Sequence, residues 1–403
     1  MDNLNRRRVL TLGAALGLIG ATAQPPRAWA WSSAGSIAGT NTVTDPFAVW
    51  DDEADQVAAS LLANGQVPAV NTAWHSWVDN GDPLPSGLPA ALTDYLTRVN
   101  RLPSWADTTK LARSERLYTR LSSYLFVSES LGSGIMSTVI PREARAVYWS
   151  AGGANMKDRA AKTFTFGYDL HAGNVWGPTG HFIVTANKTR LVHAAVRNLL
   201  PQSRRFMAGS DQQKVISNGD ILRTFHSVAT FTHANLRKWN IRLTAAEHAA
   251  DLHAWQVALH LLGVREEFIP QSWADAEAQS AQVLTPVLGP TPEGVDLART
   301  LLGYMTTPTL GLTTGFVNEL VRYLLNDQIG DWLGLRRDLV QAALIRAEWP
   351  LYVAFREGLS PVMPGGFYLF DQFVRGIAML YLNNGTSATQ TPIILPTANR
   401  PGA

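Results

Sequence analysis

Apolar and polar residues along the chain recur mostly with the three-to-four-residue period of a helix. Asp51 to Asn64 reads as a helix stopped by Gly65, and Leu88 to Val99 as a shorter one after the Gly/Pro loop from Asp79 to Pro89. Asp107 to Leu131 is long and amphipathic and ends at Gly132. Pro141 opens the next helix at a position where its missing N–H costs nothing; Gly152-Gly153 interrupts it, and the pattern resumes from Asn155 to about Phe166. After a loop from Gly173 to Gly180, Lys188 to Leu200 is helical up to Pro201.

Asp220 to Trp239 reads as one clean helix, and Thr244-Ala-Ala-Glu247 is a capping box for another that runs to Gly263. Ser272 caps the next. Further helices follow Thr291-Pro292, Thr313-Thr314 and Gly334, the last crossing Pro350, and a final apolar helix spans about Phe367 to Asn383. Period-two alternation is scarce. Only Phe164 to Phe166 and Phe182 to Val184 look β-like. With no repeat and no linker that divides the chain, the pattern predicts one all-α domain over 31–403, loose at 31–44 and 385–403.

Composition agrees. Hydrophobic residues make up 46% and charged residues 16%, so the chain can bury a sizeable core. Net charge is +2, and the four arginines and one aspartate before Trp31 leave the remainder at −1. That balance gives no footprint for nucleic acid or an anionic membrane. Cysteine is absent, which excludes disulfides, thiolate metal sites and thiol catalysis.

The first thirty residues read as a leader. Asn5-Arg6-Arg7-Arg8-Val9-Leu10 is a twin-arginine pattern, and a mildly apolar run follows from Leu10 to Ala23. Ala28-Trp29-Ala30 then offers small residues for cleavage before Trp31. The apolar run is too short to span a bilayer. The expectation is a protein secreted in folded form, with no integral membrane span once the leader is removed.

Chemistry concentrates between Glu143 and Arg197. Arg190, His193 and Arg197 sit at i−3, i and i+4, which puts two guanidiniums and an imidazole on one helical face. Arg159 and Thr163 are one turn apart, with Lys162 beside them. Taken by local position, His193 is a partly buried helix histidine, Lys162 a solvated lysine, and Glu143 a first-turn carboxylate that suits the helix dipole. His226 with His233, and His253 with His260, are rival histidines sharing faces at i+7. Glu247-His248 with Asp251 and His253 resembles a metal cluster on paper, but on a helix Glu247 and Asp251 share a face from which His248 and His253 diverge. No P-loop, Rossmann glycine pattern, G-x-S-x-G elbow or H-E-x-x-H is present.

The leader, Pro141-Arg-Glu143-Ala, Arg159-Ala-Ala-Lys162-Thr163 and Arg190-Leu-Val-His193-Ala-Ala-Val-Arg197 together resemble the latex clearing proteins, secreted haem oxygenases that cleave rubber. The likeness runs to about residue 380. It implies a globin-like helical core, one haem b per chain with His193 as proximal ligand, and Lys162 as a distal ligand in a closed resting form. It implies Glu143 as the general base taking an allylic proton from an isoprene unit, with Arg159 and Thr163 on the same side. Arg190 and Arg197 either pair with haem propionates or brace helices. Lys162 would have to move aside for substrate, and Gly152-Gly153 offers a hinge. The implied reaction is endo-type cleavage of poly(cis-1,4-isoprene) by dioxygen, by a monomeric enzyme, into oligomers with aldehyde and ketone ends. Two other readings stay open: a haem oxygenase of the wider superfamily acting on another apolar molecule, and an exported haem or electron carrier.

Overall fold

The computed structural model describes residues 35–39, 44–306, 312–359 and 392–403. The leader, most of the expected lead-in and the apolar helix expected at 367–383 lie outside the described residues. The longer helices are α1 (Asp52–Ala63), α2 (Ala90–Val99), α3 (Thr108–Leu125), α4 (Pro141–Trp149), α5 (Met156–His171), α6 (Phe182–Leu199), α7 (Asn218–Phe225), α8 (Phe231–Lys238), α9 (Ala245–Leu261), α10 (Trp273–Val283), α11 (Pro292–Met305), α12 (Thr314–Leu324) and α13 (Leu339–Leu359). Among the described residues no strand forms, only isolated bridges at Ser36–Pro270 and Ser150–Asn399.

Local chemistry starts these helices. Asp107 Oδ1 accepts from the backbone N–H groups of Thr109 and Lys110 at 2.9 and 3.1 Å, satisfying two of the donors that open α3. Capping boxes join Ser217 to Asp220 and Thr244 to Glu247. Tertiary packing then selects the partners. α3 lies along α9, which is buried without a break from Ala250 to Leu259 and so belongs at the centre. α1 lies along α6, and together with α2 they enclose a second apolar cluster around Trp74 and Trp77.

Four local expectations are corrected. Phe164–Phe166 and Phe182–Val184 are helical, inside α5 and α6. Their apolar runs reflect burial, not a β period: Phe182, Ile183 and Val184 are all buried. Gly132 does not stop α3, whose chain continues as a π-helical stretch from Phe126 to Ser133. A Cβ on Gly132 would lie 2.6 Å from the ring of Phe231, so close approach explains this glycine.

The helix expected over Asp220 to Trp239 is split by a second π stretch, His226–Thr230. The two π stretches pack together, and the hydroxyls of Ser128 and Thr232 meet at 2.9 Å. Finally, residues 392–403 are not loose. Leu395 is buried and exchanges hydrogen bonds with Asn71, and Asn399 and Arg400 reach the ends of α6 and α4, donating to Leu199 O at 2.7 Å and, through Arg400 N, to Trp149 O at 3.0 Å.

Candidate active site

Glu143 stands in the first turn of α4 and reaches across to α7, where Thr224 Oγ1 donates to its Oε1 at 2.7 Å. Burial pushes the Glu143 carboxyl up to about 7; the Thr224 hydrogen bond and the nearby Arg223 and Arg159 hold it down, and Asp220 pushes it up. Arg159, one helix on in α5, is itself shifted down by burial, an effect that Glu143 opposes. Gly153, between α4 and α5, is explained by space. A Cβ there would fall 2.1 Å from Tyr148 O, so the glycine lets the backbone fold onto the end of α4.

His193 projects from α6. Burial brings its imidazole down to about 3, and the positive charges of Arg197 and Arg159 add to that, so the ring is neutral across the physiological range. Its Nδ1 is buried with no hydrogen-bond partner. Arg159 therefore lies within electrostatic reach of both Glu143 and His193, and it ties the α4–α7 side of the site to the α6 side.

Glu143, Arg159 and His193 lie deep among protein atoms, yet each is only half-buried, and Thr163 and Thr224 are exposed. We take side chains that are deep but open as the lining of an internal space. Thr163 sits one turn after Arg159 on α5, and the next residue, Phe164, meets Phe126 of the first π stretch at 5.7 Å. π stretches recur at functional sites because they re-aim the side chains that follow.

The flanking arginines reach α1. Arg190 donates through Nε and Nη2 to the two oxygens of Asp51, at 2.5 and 3.0 Å. Arg197 donates through Nε to Asp55 Oδ1 at 2.5 Å and through Nη1 to Ile216 O at 3.1 Å. Asp51 and Asp55, one turn apart, thus hold α6 beside α1. Arg190 is a brace. Arg197 braces as well, but its Nη2 stays buried without a partner. Lys162 Nζ pairs with Asp158 Oδ2 at 2.7 Å, one turn back on α5.

The rival histidines each make contacts of their own, and His226 Nε2 and His233 Nδ1 are, like His193 Nδ1, buried without a hydrogen-bond partner. His226 is fully buried with Nδ1 2.9 Å from Thr230 Oγ1, and His233 stacks on Trp273 at 4.0 Å. His253 Nε2 accepts the backbone N–H of Asp107 at 2.8 Å, and His260 lies edge-on to Trp105. The paper cluster at Glu247 dissolves: Glu247 caps α9, Asp251 accepts from Tyr118, and no group of three metal-ligating side chains occurs among the described residues. Sequence reading missed Thr224, Asp51 and Asp55. The only trace of the last two is their four-residue spacing.

Residues 117–355 match the family described as ER-bound oxygenase mpaB/B'/Rubber oxygenase, catalytic domain. Across 409 aligned residues, covering 100% of both proteins, the chain is 45% identical to a rubber oxygenase of Streptomyces sp. (strain K30). The solved structure of latex clearing protein LCP in the closed state is similar with a TM-score of 0.81 and 45% identity, over 89% of this chain and 97% of that one. The sequence match over the whole chain and the shared all-helical fold lead to one conclusion: the chain belongs to the rubber oxygenase family of oxygenase catalytic domains.

Proposed function

We propose that the protein is a haem-dependent oxygenase that cleaves the double bonds of poly(cis-1,4-isoprene) with dioxygen, leaving oligomers with aldehyde and ketone ends. The observation that carries this reading is Glu143: a carboxylate lifted to about 7 by burial, beside an internal space, is poised to take a proton at neutral pH. An electron carrier has no use for such a base and needs two permanent axial ligands.

The residues present fit a haem. A haem iron takes a neutral imidazole, and His193 is neutral, deep and open to the internal space. The unpartnered Nη2 of Arg197 is a donor for a carboxylate of the cofactor. Haem b, when bound, supplies the redox iron that brings dioxygen into reaction with the double bond.

The chain's own residues do the rest. His193, on α6, would hold the iron. Glu143 removes the allylic proton, Thr224 fixes the orientation of its carboxylate, and Arg159 steadies the negative charge. Thr163 offers a hydroxyl to the same space. Lys162 would be a second, state-dependent ligand for the iron, and to act it must leave its pair with Asp158.

The substrate has no polar handle, so recognition rests on apolar contact. An insoluble polymer cannot be imported, which supports export through the twin-arginine leader. No helix among the described residues is long and apolar enough to cross a membrane. The test is spectroscopic and then functional: a Soret band in the purified protein, followed by oxygen uptake on adding polyisoprene latex and carbonyl-ended oligomers in the product. A colourless preparation, or a coloured one that takes up no oxygen with latex, overturns the reading.

A further inference from the structure

Tyr95, Tyr118 and Tyr124 are all buried, and their surroundings differ. The hydroxyl of Tyr95 has no partner, and the guanidinium of Arg190 lies 5.6 Å over its ring. Tyr124 donates to Glu357 at 3.1 Å, but Arg120 pairs with that carboxylate at 3.3 Å and Arg356 lies 5.1 Å over the ring. Tyr118 donates to Asp251 Oδ1 at 3.0 Å. Among the described residues no lysine or arginine pairs with Asp251. Burial pushes its carboxyl up to about 7, and the Tyr118 hydrogen bond opposes that. Tyr118 therefore holds, in the core, a proton acceptor that no cation shares.

The ring of Tyr118 is also joined to the candidate site. It meets His171, at the end of α5, edge-on at 4.5 Å between centroids. His171 meets Trp255 at 6.2 Å, and Trp255 meets Phe225 at 5.9 Å. Phe225 follows Thr224, whose hydroxyl holds Glu143. Trp255 stands one turn after Asp251 on α9, and α9 packs against α6, the helix of His193. Rings in contact carry an electron readily. Tyr118 lies at the far end of such a series, with a base on its hydroxyl.

We propose that Tyr118 is a redox residue, which gives an electron to an over-oxidised haem and its proton to Asp251. The proposal rests on the haem reading of the site. Hydrogen peroxide that reaches a ferric haem takes two electrons, one from the iron and one from the ring, and one peroxide oxygen leaves as water with both peroxide protons. An electron from Tyr118 restores the ring, and its phenolic proton crosses to Asp251 Oδ1. The products are a neutral phenoxyl radical and a neutral carboxylic acid. A phenol that lost the electron and kept its proton would be a cation in apolar surroundings, which costs several kcal/mol or more. Asp251 removes that cost at Tyr118. Tyr95 has no acceptor, and at Tyr124 the two guanidiniums oppose loss of the electron. The oxidising equivalent is thereby moved away from the haem when no rubber is there to consume it.

The experiment uses the full-length, haem-loaded ferric protein, mixed with hydrogen peroxide without latex, frozen, and examined by electron paramagnetic resonance. Wild type is expected to give a tyrosyl radical whose hyperfine splitting collapses when the protein is grown on ring-deuterated tyrosine. In Tyr118→Phe the signal should fall at least tenfold, and the Soret band should bleach at least twofold faster under peroxide. Tyr95→Phe and Tyr124→Phe should keep the signal within twofold, and all three variants should cleave latex within twofold of wild type. Were the hydroxyl only a structural bond, Tyr118→Phe would lower Tm and leave the radical in place, which overturns the proposal. So does a wild-type protein that reacts with peroxide and shows no tyrosyl signal. If Tyr118→Phe does not fold, Asp251→Asn carries the same test, since it keeps the ring and removes the base; an undiminished signal there overturns the proposal. A colourless protein overturns the haem reading and this inference together, whereas a coloured one that cleaves latex without forming the radical overturns the inference alone.

Discussion

Thr224 Oγ1 donates a 2.7 Å hydrogen bond to Glu143 Oε1 from a helix 81 residues further along the chain. The bond favours the charged carboxylate, while burial favours the neutral acid, and burial wins: Glu143 is held at about 7. A base must be deprotonated, so the cleavage rate should rise with pH through about 7. Thr224→Val removes the bond that holds the value down, and the midpoint of the pH–rate curve should move to higher pH. A profile that coincides with wild type would detach Thr224 from the titrating group.

The raised value also bears on stability. Glu143 binds its proton more tightly folded than unfolded, so its contribution is fully present below the unfolded value near 4.5 and is lost as pH rises through about 7. Glu143→Gln keeps the shape and removes the charge. It should unfold at an equal or higher temperature than wild type above pH 7, retain haem, and lose about 10²–10⁴ in kcat. Retention of activity within twofold would make Glu143 a helix-dipole residue, and oxygen-uptake rates with thermal unfolding at two pH values decide it.

On the proposed assignment, His193→Ala should yield a protein without a Soret band, because only contacts to the ring and its carboxylates would remain. His226→Ala is the control. His226 is wholly buried and bonded to Thr230, so its loss should lower Tm and leave the haem spectrum intact. The reverse pattern would move the iron ligand to the second π stretch, at His226.

The proposed role of Lys162 puts two claims on its amine. Asp158 holds it at 2.7 Å, and an iron can take it only when that pair opens. Asp158→Asn weakens the competitor and should shift the ferric spectrum toward the low-spin, six-coordinate form and slow imidazole binding. Lys162→Ala should do the opposite. Identical ferric spectra and imidazole titrations in wild type and both variants would leave Lys162 as a surface ion-pair partner.

The C-terminal residues join the two sides of the site. Asn399 Nδ2 donates to Leu199 O at the end of α6, and Arg400 donates to Trp149 O and Tyr148 O at the end of α4. Ending the chain after Pro396 leaves those helix-terminal carbonyls without these partners, and stability should fall by about 1–3 kcal/mol. Thermal unfolding followed by circular dichroism measures it; an unchanged Tm would mean that water replaces the tail at no cost.

By itself the sequence determined that the protein is helical, and it gathered the candidate chemistry between Glu143 and Arg197. Both are local. Caps at Asp107, Ser217 and Thr244 act within three residues, and the face shared by Arg190, His193 and Arg197 follows from helical geometry alone. Short apolar runs were ambiguous because three residues cannot tell a strand from a helix buried all round. Phe164–Phe166 and Phe182–Val184 were resolved only by what packs on them.

What the tertiary structure decided is who meets whom. Asp51 and Asp55 find Arg190 and Arg197 across about 140 residues of chain, which makes braces of two arginines that the sequence left open between bracing and anion binding, one of them with a donor to spare. Thr224 reaches Glu143 from another helix, and burial at that junction sets its acidity. The Thr- and Pro-rich tail reads as loose because nothing in its own neighbourhood can hold it. Residues 392–403 are held because two distant helix ends present carbonyls that need donors, and a local window contains neither of them.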